Sequence, residues 1–147
     1  MNIFKLPIKF EGIPFCRKDG EIKFLLVKRI PEDGGFWQPI TGTLESNESL
    51  TECIYREFEE EININKNQII SITDMFYQFT WVKNKDTQIS EYVFGVELPD
   101  TIDIELGNEH DDYRWCSYDE AQKTLEKDNN KKAFMEFKSR FISPIEP

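Results

Sequence analysis

"GTLESNESLTECIYREFEEEINI", residues 42–64, is where the chain changes its period. Ser49 and Glu52 have the S-x-x-E spacing of a capping box, which predicts a helix running to about Ile62. Asn63 follows, a residue that tolerates the left-handed conformation in which many helices end. The helix would finish on Glu59, Glu60 and Glu61. That is an unfavourable place for them, because the partial negative charge of a helix C-terminus favours Lys or Arg. Glu57 and Glu61 add a like-charge i,i+4 pair.

Angular position shows what these carboxylates share. With Glu57 at zero and roughly 100° per residue, Leu50, Ile54, Phe58 and Ile62 fall at about 20°, 60°, 100° and 140°, a buried stripe. On the same wheel Glu61 falls at about 40° and Glu60 at about −60°, while Glu59 and Glu52 point to the far side. Glu57, Glu60 and Glu61 thus form one group at the edge of the stripe. Carboxylates beside a core are costly without compensation. Arg56 is the only cation between Arg29 and Lys66. A divalent cation would compensate, and oxygen ligands on one face suit Mg²⁺, with Mn²⁺ as the alternative. The plainer reading, open on these residues alone, is a solvated charged face.

Outward from this helix the chain alternates strands and turns. "IKFEGIPFCR" (8–17) and "EIKFLLVKRI" (21–30) read as strands around an Asp19-Gly20 turn. "PEDGGFWQPITGT" (31–43) reads as a loop with a short extended piece. "QIISITDMFYQFTW" (68–81) and "QISEYVFGVEL" (88–98) read as two long strands around the polar "VKNKD". "DYRWCS" (112–117) is a candidate short strand. Ser117 and Glu120 form a second capping box. Phe134, Phe137 and Phe141 then mark the core face of a last helix. The predicted class is α+β, a sheet sandwiched between helices.

Bulk properties narrow the functions. A chain of 147 residues suits one domain, residues 1–147, with a real core. Its net charge of −10 disfavours nucleic acid backbone and anionic membrane. Cys16, Cys53 and Cys116 are widely spaced and fit neither a zinc pattern nor a disulfide framework, so a reducing cytoplasm is expected. The opening "MNIFKLPIKFEG" lacks the apolar core of a signal peptide, and no stretch is apolar for long enough to span a bilayer.

The 42–64 stretch resembles the Nudix box, G-x5-E-x7-R-E-U-x-E-E-x-G-U, where U is a bulky aliphatic. Gly42, Glu48, Arg56-Glu57, Phe58, Glu60-Glu61 and Ile64 fall on its fixed positions. Asn63 stands where Gly is usual; since Asn also takes positive φ, the turn is expected to survive. The resemblance implies an α/β/α sandwich around a mixed sheet, with the box as loop–helix–loop. It implies Mg²⁺-dependent hydrolysis of a nucleoside diphosphate linked to another group. By position, Glu57, Glu60 and Glu61 are expected to ligate metal and Arg56 to orient them. Glu48 would assist at the metal or brace the loop, and Gly42 would give the backbone room. The base that activates water would be Glu60 or Glu61, or Glu109 in "NEHDDYRW". His110, the only histidine, is expected in a surface or polar-network role.

"FWQPITGTLE" (36–45), "EHDDYRW" (109–115) and "NNKKAFMEF" (129–137) further resemble the branch of dATP and dihydroneopterin triphosphate pyrophosphohydrolases. That branch implies a small phosphorylated substrate cut to a monophosphate and pyrophosphate. Arg29 is then a candidate for phosphate, and Trp37 and Gln38 for the base or pterin. The alternatives are a Nudix hydrolase of dinucleoside polyphosphates or nucleotide sugars and, more remotely, a non-catalytic module that senses a nucleotide.

Overall fold

The structure, a computed structural model, describes residues 5–142. The first four residues of the opening stretch read above therefore lie outside the described residues. The elements in order are strands β1 (Lys5–Lys18), β2 (Glu21–Arg29), β3 (Trp37–Gln38) and β4 (Ile40–Glu45), helix α1 (Leu50–Ile62), strands β5 (Ser71–Ile72), β6 (Tyr77–Asn84), β7 (Thr87–Glu97) and β8 (His110–Cys116), and helices α2 (Tyr118–Thr124) and α3 (Asp128–Phe141).

The long strand β1 organises the sheet. Its second half pairs antiparallel with β2, its first half with β4, and its other edge runs parallel to β7. β3 and β8 flank β2, while β5 and β6 flank β7. The sheet is therefore mixed. The hairpin turn at Asp19-Gly20 has positive φ at both residues, as its sequence predicts.

Alternation along the strands sends side chains to two cores. Leu25 and Val27 face α1, together with Phe10, Ile54, Phe58 and Ile62. Phe24 and Leu26 face α2 and α3, together with Ile13, Phe15, Val93, Phe134 and Phe137. The Phe137 ring lies 5.0 Å from Phe15 and 5.2 Å from Phe24, edge-on to each. Its burial alone stabilises the fold by roughly 1.5–3 kcal/mol. The aromatic stripe of the last helix is therefore core. This gives the α+β sandwich expected from the sequence.

Two segments depart from the strand reading. Residues 31–43 hold two strand pieces, β3 and β4, separated at Pro39. Residues 68–81 do not form one strand. A 3₁₀ turn (Lys66–Gln68), the two-residue β5 and an irregular stretch precede β6. The break has a local cause. The Thr73 hydroxyl accepts the Gly95 N–H at 2.8 Å and the Thr73 N–H reaches the Gly95 carbonyl at 2.9 Å, so the chain clips to β7 without a continuous ladder.

Candidate active site

Helix α1 begins and ends as its residues require. The Ser49 hydroxyl accepts the Glu52 N–H at 3.1 Å, and the Glu52 carboxylate accepts the Ser49 N–H at 2.8 Å. Asn63 takes φ 57° and ψ 39°, and its N–H closes onto the Glu59 carbonyl at 3.1 Å. The segment after β7 covers this C-terminus. The Gly107 N–H donates to the Glu61 carbonyl at 2.9 Å, and the Asn63 amide donates to Glu105 at 3.0 Å.

Arg56 is the hub of the acidic group. Its Nε and Nη2 donate to both oxygens of Glu48 at 3.0 and 2.6 Å, and its Nη1 donates to Glu57 at 3.0 Å. Nη2 also donates to the Thr43 carbonyl at 3.1 Å, and Nη1 lies 3.6 Å from Glu60. Bidentate pairing of this kind fixes orientation as well as charge. Glu48 in turn accepts the Glu45 N–H at 2.9 Å, bracing the loop before the helix. The Arg56 hydrogen bond holds its carboxyl below the usual range. A Cβ added at Gly42 would overlap the Glu57 carboxylate, so this glycine makes room for an acid side chain rather than for an unusual turn.

The carboxylates differ sharply in environment. Glu59 is exposed. The Glu60 side chain is 59% exposed, whereas Glu61 is 5% exposed. Burial, reinforced by Glu60, pushes the Glu57 carboxyl up to about 7. Burial, with Glu57 and Glu109 nearby, pushes Glu61 up to about 9. Glu109 is itself exposed, in the turn just before β8, close enough for its charge to act on Glu57 and Glu61. Glu61 lies 3.6 Å from His110 Nδ1. This is not an ion pair, because burial and Arg29 lower His110 to about 4, which leaves both groups neutral at pH 7. The second Glu61 oxygen, Oε2, is buried with no hydrogen-bond partner.

Glu57 and Glu61 are raised by burial and by their acidic neighbours, which is where a cation would bind most strongly. Among the described residues no three acidic, His or Cys side chains close on one point as a finished metal cage. Glu57 and Glu60 lean on Arg56 instead. The donor set still fits a hard divalent ion: Glu61 offers an unpartnered buried oxygen, and Glu57 and Glu60 bring oxygens to the same side of α1.

Beside the carboxylates lies a cleft of about 520 Å³ whose lining includes Lys9, Arg29, Phe36, Gln38, Phe79 and Trp81. Lys9 and Arg29 are the cations that oppose the upward shift of Glu61, so cleft and carboxylates adjoin. Arg29 pairs with Asp33 at 3.4 Å. Gln38 is buried and meets His110 Nε2 at 3.4 Å. His110 is thus in a buried polar network and not at the surface. Trp37 is not in the cleft lining: it packs into the α2–α3 core with Arg114 4.8 Å over its ring. The aromatic walls are Phe79 and Trp81 on β6 and Phe36 before β3. The sequence reading did not single out Lys9, Phe79 or Trp81. The aromatic–polar alternation of "YQFTW" was the available sign for Phe79 and Trp81, and their burial follows that period.

A sequence model described as the NUDIX domain matches residues 11–137. An octanoyltransferase of Myxococcus xanthus is 35% identical over 123 residues, covering 81% of this chain. This chain spans only 33% of that relative's length, so the activity in its name is not carried over. An asymmetrical bis(5'-nucleosyl)-tetraphosphatase of Caenorhabditis elegans is 30% identical, covering 79% of this chain and 83% of that protein. The dihydroneopterin triphosphate diphosphatase of Escherichia coli is 25% identical, covering 92% of this chain and 95% of its own. The fold is that of the C. elegans Ap4A hydrolase crystal structure, with TM-score 0.78 and 24% identity over 90% of this chain and 95% of that one.

Proposed function

This chain belongs to the NUDIX family, and we propose that it is a pyrophosphohydrolase of a (deoxy)nucleoside triphosphate or of dihydroneopterin triphosphate. The cut falls between the α and β phosphates, releasing pyrophosphate and the monophosphate. One observation carries the reading: the Arg56-bound carboxylates border a cleft that supplies Lys9 and Arg29 for phosphate and aromatic rings for a planar base. The F-W-Q-x-x-T-G stretch and the E. coli relative, which covers nearly the whole chain, support the triphosphate branch.

Glu57, Glu60 and Glu61 would hold Mg²⁺, or Mn²⁺ in its place. Such an ion, when bound, polarises phosphoryl oxygens and lowers the pKa of bound water. Arg56 holds Glu57 and Glu60 in position and, through Glu48, stiffens the loop that carries Gly42. Arg29 and Lys9 neutralise phosphate charge that an acidic protein would otherwise repel. Glu109 or Glu60, both exposed, takes the proton of the attacking water. The whole chain acts as one NUDIX domain. Among the described residues no helix is long and apolar enough to cross a membrane. The free, buried Cys16, Cys53 and Cys116 suit a reducing cytoplasm.

A second reading, a dinucleoside polyphosphate as substrate, is favoured by the 30% identity to the C. elegans tetraphosphatase. A groove lined by Lys5, Lys9, Thr43, Trp81 and Lys83 adjoins the cleft and would suit a second phosphorylated end. Product analysis separates the two. With Mg²⁺, deoxynucleoside triphosphates, dihydroneopterin triphosphate and diadenosine tetraphosphate are compared by chromatography. The triphosphate reading expects pyrophosphate plus a monophosphate from at least one triphosphate. Turnover of diadenosine tetraphosphate alone, to ATP and AMP, would replace it with the second reading.

A further inference from the structure

Alternation places Lys9, Glu11 and Ile13 of β1 on one face of the sheet, and Glu91 and Val93 of β7 on the same face. Ile13 and Val93 are core residues there, so carboxylates at 11 and 91 are out of keeping with their neighbours. Glu11 is 0% exposed, and neither of its oxygens has a hydrogen-bond partner. Glu91 is 5% exposed and lines the cleft. Phe79 stands directly opposite Glu91 on β6, and Trp81 donates its indole N–H to Glu91 Oε1 at 2.9 Å.

Two buried acids beneath a cleft are expensive unless something offsets them. Their environments divide one proton between them. Burial and the charge of Glu91 keep Glu11 well above the usual carboxyl range, so Glu11 is the neutral member. Burial raises Glu91 as well, but Glu91 stands in register with Lys9 on β1 and accepts the Trp81 indole N–H, two contacts that favour its ionised form and that the unpartnered Glu11 lacks, so the negative charge of the pair is placed on Glu91. An ionised carboxylate only accepts hydrogen bonds, and it has more lone pairs than Trp81 uses. Glu91 therefore offers an acceptor edge at the floor of a cleft with aromatic walls.

Resting on the reading that the cleft takes the base end of a triphosphate, we propose that Glu91 selects a ring with two adjacent N–H donors, the 2-amino-4-oxo edge shared by guanine and pterin. Adenine and cytosine present a donor beside an acceptor, and the acceptor would face the Glu91 anion. A site built on a buried acceptor discriminates strongly against a ligand that lacks the matching donor.

The test is equilibrium binding of monophosphates by calorimetry, without metal and without turnover. GMP and IMP differ only in the 2-amino group. The wild-type protein is expected to bind GMP at least about tenfold more tightly than IMP. Glu91→Gln, checked for folding by its thermal transition, should erase that difference. Dihydroneopterin monophosphate, measured in parallel, distinguishes pterin from guanine as the preferred source of the edge. Equal binding of GMP and IMP by the wild type overturns the proposal, as does a Glu91→Gln protein that is folded and still prefers GMP. Because no hydrolysis is involved, failure here leaves the pyrophosphohydrolase reading standing. Discrimination without any triphosphate turnover would leave the Glu91 assignment standing alone.

Discussion

The Glu57 carboxylate occupies the space that a side chain at position 42 would need. Strand β4 and helix α1 are brought together at this point, and the absence of a Cβ on Gly42 is what admits the acid. Gly42→Ala should therefore displace Glu57 by a bond length or more. The expected cost is about 1–3 kcal/mol of stability, from overpacking. Turnover should fall by roughly 10²-fold, as misplacement of a catalytic group by about 1 Å does. Thermal unfolding and steady-state hydrolysis measure the two effects. An alanine variant with unchanged rate would mean that the position of Glu57 is irrelevant to the reaction.

Glu59 and Glu60 are sequence neighbours, and only Glu60 lies near Arg56 and Glu57. Glu60→Gln is expected to lower turnover by about 10²–10⁴-fold, within the range of a lost acid–base or charge role. Glu59→Gln should stay within roughly twofold, as exposed substitutions do. Equal damage from the two would contradict the division of the helix into faces.

The metal-free protein should lose stability as pH rises above about 6.5. Glu57 and Glu61 titrate at about 7 and about 9 in the folded protein, against about 4.3 when unfolded. Across that interval the folded state holds protons that the unfolded state has released, so stability falls with pH. Glu11, also raised, acts in the same direction. His110 acts oppositely: lowered to about 4, it adds stability as pH rises to the ordinary histidine value of about 6.5. The window from about 6.5 to about 9 therefore isolates the carboxylates. Melting temperature should decline across it, less steeply for Glu61→Gln, and Mg²⁺ should recover most at the alkaline end. A wild-type melting temperature that climbs with pH through this window would refute the charge assignment.

Features set by local rules were legible in the sequence. Ser49 with Glu52 and Ser117 with Glu120 form both capping boxes. Asn63 takes the left-handed turn that a glycine usually makes, because its short polar side chain tolerates positive φ. The helical wheel correctly placed Glu61 against the buried stripe and Glu59 in solvent. What depended on pairing between distant strands was not legible. Glu11 and Glu91 share a face only because β1 and β7 run parallel in one register, and no turn links those strands. For Trp37 the sequence left both stacking on a base and core packing open, and a two-residue strand packs it against the second core under Arg114. The hydrophobic run 68–81 hid its break because Ile69, Ile70 and Ile72 suit a strand, while Thr73 bonds differently.

In the proposed reaction Glu57, Glu60 and Glu61 together hold a divalent cation that in turn holds a polyphosphate. Mn²⁺ binding followed by electron paramagnetic resonance, with a non-hydrolysable nucleoside triphosphate present, tests it most directly. Wild-type protein should bind Mn²⁺ with ligand, and Glu60→Gln should weaken that binding at least about tenfold, the loss that removing even a hydrogen-bonding partner of a metal ligand causes. A wild-type protein that leaves Mn²⁺ free, or a Glu60→Gln protein that binds it as well as wild type, would contradict the account.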